Sequence, residues 1–136
     1  LRTRRQRQMC IRDSLNSFLP HNLNISRNRV SEENAPVTIL NPKHPALNIP
    51  NKITLKDFDD WVQERGLYFP NEWSENYEIL ITSNDKGEEP NDGGILISKI
   101  GKGHFIYTSY SWFRQLPAGV PGAYKLFSNL LSLGKK

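Results

Sequence analysis

Sulfur is nearly missing from this chain: Cys10 is its one cysteine and Met9 its one methionine. With Cys10 set apart, as argued below, the rest has no disulfide, no thiolate nucleophile and no cysteine-ligated zinc site. A chain without thiols suits reducing and oxidising compartments alike, so cysteine usage leaves the compartment open. There is no run of about 18 apolar residues, so no segment reads as a membrane-spanning helix. Nucleotide and hydrolase signatures are missing too. Gly101-Lys102-Gly103 lacks the remaining positions of a phosphate-binding loop and leads into a strand, not a helix. No G-x-S-x-G surrounds Ser109 or Ser111. No internal repeat or low-complexity tract interrupts the sequence.

The first fourteen residues look foreign to the rest. Met9-Cys10-Ile11-Arg12-Asp13-Ser14 fits the codons ATG-TGT-ATA-AGA-GAC-AGN and resembles the mosaic end of a transposase adapter used in DNA library preparation. The alternative is a natural basic arm. Residues 1–14 are therefore left out of fold reasoning as a non-native, adapter-like segment. They hold five of the 18 Lys+Arg residues (Arg2, Arg4, Arg5, Arg7 and Arg12) and one of the 14 acids, Asp13, which leaves 13 of each sign. The basic balance that would argue for a nucleic-acid or anionic-membrane partner disappears with them. Residues 15–136 suffice for one domain.

Along that domain, residues 15–36 are polar and irregular, with Leu23 and Ile25 as apolar anchors. Val37–Leu40 is a short β-branched run bounded by Pro36 and Pro42, and predicts a buried strand. Three prolines make residues 41–50 a loop. Thr54 with Asp57 forms an acidic capping box, and Ile53 can staple to Phe58. Leu55, Phe58, Trp61 and Val62 share one helical face, and Gly66 is placed as a left-handed stop. The spacing predicts a helix over 55–65. Residues 68–75 read as an aromatic-anchored loop, 77–82 as a strand and 83–94 as an acidic Gly/Pro turn. Ile95–Ile100 and His104–Tyr110 predict two strands joined by Gly101-Lys102-Gly103 as a hairpin. Residues 112–122 read as a loop. Ala123–Leu133 predicts a closing helix with Leu126, Phe127, Leu130 and Leu131 on one face and Gly134 as its stop. The order β–α–β–β–β–α suits the later part of a doubly wound α/β domain.

Candidate chemistry is sparse. His21, His44 and His104 form no H-x-H or H-x-x-x-H pair and read as surface or strand-end residues, not metal ligands. Glu88, Glu89 and Asp92 flank Pro90 and read as solvated; a weak cation site using Asp85, Glu88 and Asp92 is the alternative. The distinctive stretch is 107–124, where a strand end, Trp112, Arg114 and Gln115 precede a helix. In open α/β sheets ligands gather beyond such strand ends, so Trp112, Arg114 and Gln115 are candidate ligand-binding residues for a sugar or an acidic group. The plainer reading is that Trp112 and Phe113 plug the core while Arg114 satisfies carbonyls or a carboxylate.

Trp61-Val62-Gln63-Glu64-Arg65-Gly66-Leu67-Tyr68-Phe69, Gly93-Gly94-Ile95-Leu96 with Gly101-Lys102-Gly103, and the run from Trp112 to Tyr124 (W-F-R-Q-L-P-A-G-V-P-G-A-Y) together resemble the C-terminal region of bacterial PIG-L (LmbE-like) deacetylase family proteins. The resemblance spans about Leu23 to Leu133. It implies a fragment of a larger protein whose N-terminal domain would be a zinc-dependent deacetylase of carbohydrate N-acetyl groups, built on an A-H-P-D-D motif. Here His44-Pro45 is followed by Ala46-Leu47, without the carboxylates, so the resemblance implies no zinc and no other cofactor in this fragment. It also implies that residues 15–136 are a truncated accessory domain, the C-terminal portion of a flavodoxin-like, class I glutamine amidotransferase-like fold. Active amidotransferases pair a cysteine with a histidine; this sequence has Ser109-Tyr110-Ser111 where that histidine would fall, which implies a catalytically silent domain. The expected partners are the deacetylase domain of the same chain and, as a candidate, carbohydrate, with no nucleic acid. A periplasmic or extracellular location would suit the parent. The rival readings are a stand-alone carbohydrate-binding module using Trp112, Arg114, Gln115 and Trp73, and a degenerate hydrolase using Ser109 or Ser111 with His104.

Overall fold

The structure, a computed structural model, describes residues 19–133. It is a mixed α and β fold in which every strand pairing is antiparallel. The adapter-like segment, and Gly134 as helix stop, lie outside the described residues.

The described residues open with two strands, β1 (Leu23–Val30) and β2 (Val37–Ile39), followed by a 3-10 turn at Pro45–Leu47 and another at Leu55–Phe58. Five strands follow: β3 (Gly66–Trp73), β4 (Glu78–Ile79), β5 (Ile81–Ser83), β6 (Ile95–Ile100) and β7 (Gly103–Thr108). Two helices close the chain, α1 (Trp112–Gln115) and α2 (Pro121–Leu131). The strands form three small sheets, β1-β3, β2-β5 and β4-β6-β7.

The hairpin and the closing helix follow the sequence pattern. Ile100 pairs with Gly103, so Gly101-Lys102 is a two-residue loop. Gly101 takes φ +56°, which glycine adopts without strain. In α2, Ala123, Leu126 and Leu130 face the core. Leu131, expected on that face, is 70% exposed, because the helix turns it away from the buried stripe.

The expected helix over 55–65 is not formed; only its first turn is. Thr54 N–H donates to Asp57 Oδ2 at 2.8 Å, as a capping box requires, and Ile53 and Phe58 are both buried. Beyond that, side chains take the carbonyls that helical amides would need. Trp61 Nε1–H donates to the Asp57 carbonyl at 3.0 Å. The Arg65 guanidinium donates to the Phe58 carbonyl at 2.5 Å. Val62 N–H donates instead to Gln115 Oε1 at 2.8 Å. Asp60 and Gln63 then take φ of +64° and +63°, which ends any helix. Leu55, expected on the apolar face, is exposed.

Two strands stand where irregular chain was expected. β1 and β3 pair with several register shifts, Pro70 lying opposite Ile25. A proline inside a strand is tolerated at an edge or bulge, and it hides such a strand from pattern reading. Gly66 opens β3 and ends no helix. It bridges to Tyr110, and a Cβ at Gly66 would lie 2.5 Å from the Ser109 carbonyl oxygen. The expected strand over 77–82 is broken at Leu80 into β4 and β5, which join different sheets. α1 occupies the start of the expected loop over 112–122.

One main cluster of buried residues gathers Val30, Phe58, Trp61, Phe69, Leu80, Ile95, Tyr110 and Leu126, among others. A smaller one holds Leu23, Tyr77 and Leu96. Neighbours on β6 thus point into different clusters, so its first four residues, Ile95 to Ser98, are buried on both faces.

Candidate functional site

Arg65 and the start of β3 are the junction on which the 107–124 stretch is built. Arg65 N–H donates to the Val30 carbonyl, and Ser111 N–H to the Arg65 carbonyl, each at 2.9 Å. The guanidinium is buried and donates to the Ala35 carbonyl through Nε at 3.2 Å and through a second nitrogen at 2.8 Å. It also lies 5.8 Å from the Trp61 ring centroid. Burial lowers its pKa from the ordinary arginine value, opposed by the nearby Tyr110 and Asp59.

Around this junction, the three residues singled out by sequence are close in chain but differ in environment. Gln115 is fully buried. It accepts from Val62 N–H through Oε1 at 2.8 Å, and its Nε2 donates to the carbonyls of Val62 (3.0 Å) and Glu64 (3.1 Å). Its amide therefore fastens residues Val62 and Glu64 to α1, with a further contact to Ser111 Oγ at 3.3 Å. Trp112 is half-buried, with its centroid 5.7 Å from those of Trp61 and Phe127, and its Nε1 donates to Thr108 Oγ1 at 3.2 Å. Arg114 Nε donates to Glu64 Oε1 at 2.9 Å, and another of its nitrogens to Gln63 Oε1. Its side chain keeps 37% of its surface open and lies over the exposed Phe113 ring. Of the three, only Arg114 and part of Trp112 can meet a ligand.

The serines and histidines do not converge. Ser109 Oγ donates to the Tyr68 carbonyl at 3.2 Å, and Ser111 Oγ to the Glu64 carbonyl at 2.6 Å. His104 is exposed at the opposite end of β7, paired with Lys99; at about 3.3 Å per residue it lies far from both serines. His44 accepts from Ala46 N–H through Nδ1 at 3.1 Å, and its Nε2 meets Glu78 Oε2 at 2.6 Å. Among the described residues, no three His, Cys, Asp or Glu side chains lie close enough together to hold a metal ion.

In the acidic turn, Asp85 stands apart from its neighbours. It is buried and accepts from Ser31 N–H (3.0 Å), Ser31 Oγ (2.8 Å) and Glu32 N–H (2.9 Å). Burial alone would raise its pKa; these hydrogen bonds, with the charge of Arg29, outweigh that and hold the carboxyl below its ordinary value. It pins the turn to the end of β1. Glu88, Glu89 and Asp92 instead line an open cleft of about 360 Å³ between β1, the end of β3 and the turn. Trp73 lines this cleft and a second one of about 500 Å³ beside it. Sequence reasoning picks out Trp73 and the acidic turn separately and does not join them. The signal that links them is Gly93, where a Cβ would lie 2.8 Å from both the Pro70 ring and the Trp73 indole.

Comparison with protein-family models, curated proteins and solved structures finds no match to this chain. No helix among the described residues is long and apolar enough to cross a membrane.

Proposed function

We propose that this chain is a non-catalytic accessory domain of a larger PIG-L-type protein, in which zinc and the hydrolysis of N-acetyl groups belong to a separate N-terminal domain. The observation that carries this reading is the use made of Ser109, Ser111 and Gln115. Each is buried and donates to backbone carbonyls, so the groups that stand nearest to a reactive constellation hold strands and loop together instead. The finer fold assignment, the C-terminal portion of a flavodoxin-like, amidotransferase-like domain, belongs to the same proposal. Its support is the order of hairpin and closing helix, and the parallel strands it requires would come from residues beyond those described. The test is the genomic reading frame upstream of residue 15: an in-frame Ala-His-Pro-Asp-Asp segment is expected, and a stop codon directly upstream would overturn the proposal.

A stand-alone carbohydrate-binding module is the second reading, favoured by the half-buried Trp112 beside the partly open Arg114. A glycan array with the wild type and Trp112→Ala decides it: signal lost in the variant supports it, and equal signals count against it.

A further inference from the structure

We propose that His44 is a proton-sensitive latch on the turn at Pro45–Leu47: it holds the 42–51 loop against α2 while its imidazole is neutral, and loosens it when the ring takes up a second proton. The latch is separate from the Trp112–Arg114 surface and does not depend on the family reading.

The partners of His44 fix which nitrogen carries the hydrogen. Nδ1 accepts from Ala46 N–H at 3.1 Å, so that nitrogen is bare. Nε2 lies 2.6 Å from Glu78 Oε2, and an ionised carboxylate only accepts, so the hydrogen is on Nε2. The side chain keeps 10% of its surface open, so neither nitrogen can turn to water without leaving its partner. A second proton has to enter at Nδ1, where it would stand against the Ala46 N–H. An imidazolium donates from both nitrogens and accepts at neither. Charging the ring therefore strengthens the contact with Glu78 and ends the one with Ala46.

Few charges face the ring. Glu78 reaches it from β4. Lys43, its chain neighbour, is exposed. The strand register places Lys99 of β6 and His104 of β7 on the sheet face that carries Glu78, both exposed. The strands β2 and β5 carry no charged side chain. The helix α2, packed against the turn, brings the neutral Asn129, and its one charge, Lys125, is paired with Asp57. Glu78 thus draws a proton to the ring, and the Ala46 amide opposes it.

What the cap holds extends to α2. Ala46 and Leu47 are buried. The Ala46 carbonyl accepts from Asn129 Nδ2 at 2.9 Å, and Asn129 Oδ1 accepts from Asn51 N–H at 3.0 Å. One side-chain amide on α2 therefore joins the turn to the end of the loop. A buried N–H without an acceptor is costly, so Ala46 moves toward water when the ring is charged, and the Asn129 bonds loosen with it. Imidazole gains its charge in the mildly acid range. Asp57 and Asp85, both held below the ordinary aspartate value, gain protons only in stronger acid, so the two responses are distinguishable.

The experiment follows the isotope-labelled full chain from about pH 8 to about pH 5, by the ring nitrogen resonances of His44 and by amide exchange expressed as protection factors. At the upper end a bare Nδ1 and a hydrogen on Nε2 are expected. As the ring is charged, protection of the Ala46 amide is expected to fall roughly tenfold, the Asn129 side-chain amide resonances to move with it, and the β6–β7 amides to stay protected. Glu78→Gln is expected to move the change to lower pH. His44→Asn keeps a capping acceptor that has no proton to gain, and is expected to hold Ala46 protection constant; if that variant unfolds, Glu78→Gln decides the question. His104→Gln is expected to respond as wild type does. A hydrogen on Nδ1 at the upper pH, Ala46 protection unchanged as the ring is charged, an unmoved change in Glu78→Gln, the same fall in His44→Asn, or a response lost in His104→Gln would overturn the assignment.

Discussion

Gln115 fastens the irregular segment around Val62–Glu64 to α1 from a fully buried position. Its amide meets both the N–H and the carbonyl of Val62, the Glu64 carbonyl, and Ser111 Oγ at 3.3 Å. Truncation would strand several buried polar groups and leave a cavity. Gln115→Ala is expected to destabilise the fold by about 3 kcal/mol, read as a lowered midpoint in urea denaturation. The same residue shows where sequence reading stops. Trp112, Arg114 and Gln115 stand out as a cluster because of their types. Whether each faces solvent or core depends on partners at residues 62–64, about fifty positions away, and no local pattern encodes that distance. Trp73 and Glu88–Asp92 present the same difficulty: each is visible alone, and only the fold makes them walls of one cleft.

The elements differ in how far local signals control them. The β6–β7 hairpin rests on two β-rich runs joined by the Gly101-Lys102 turn, and α2 on an apolar stripe. Both signals are local, so both elements are legible in the sequence. The turn at 55–58 begins as its capping box requires, yet the helix stops where Trp61 and Arg65 take the carbonyls of Asp57 and Phe58. Tertiary bonds of that kind override propensities of a few tenths of a kcal/mol per residue. The shortened turn leaves its backbone open to α2, whose Gly122 packs against Asp57 so closely that a Cβ would overlap the Asp57 carbonyl. Lys125 then pairs with Asp57 at 2.8 Å. Gly122→Ala, favourable by helix propensity alone, is therefore expected to destabilise by about 2–3 kcal/mol through overpacking. Thermal melts of the variant against wild type check this, and an unchanged or raised midpoint would refute the contact.

At the scale of the whole molecule, stability is bounded by two kinds of acid, carboxyl and phenol, held away from solvent in part or whole. For Asp57, as for Asp85, burial alone would raise the carboxyl; the Lys125 contact and the Thr54 hydrogen bonds outweigh it, so both carboxyls sit below the ordinary aspartate value. The stability they contribute is present above the unfolded value of about 4 and is lost as pH falls through their folded values. Tyr110 works from the other side. Complete burial pushes its phenol up to about 12, against the opposing effects of the Ser83 hydrogen bond and the Arg65 charge. Its contribution is intact below the unfolded value of about 10 and disappears as pH rises from there toward 12. Denaturation midpoints measured across pH should form a plateau that falls at both ends. Asp85→Asn is expected to flatten the acid limb, and Tyr110→Phe the alkaline one. An alkaline limb unchanged in Tyr110→Phe would show that this phenol ionises freely.

The mutually inclined rings packed around Tyr110 also give the molecule an optical property. Trp61 and Trp112 hold their indoles 5.7 Å apart at an interplanar angle of 60°. Chromophores so close and so inclined share their excited states, and the circular dichroism of such a pair is a couplet that neither indole produces alone. The chain thus carries an unlabelled reporter of whether α1 stays seated against the 59–65 segment, and loss of the couplet would mark their separation.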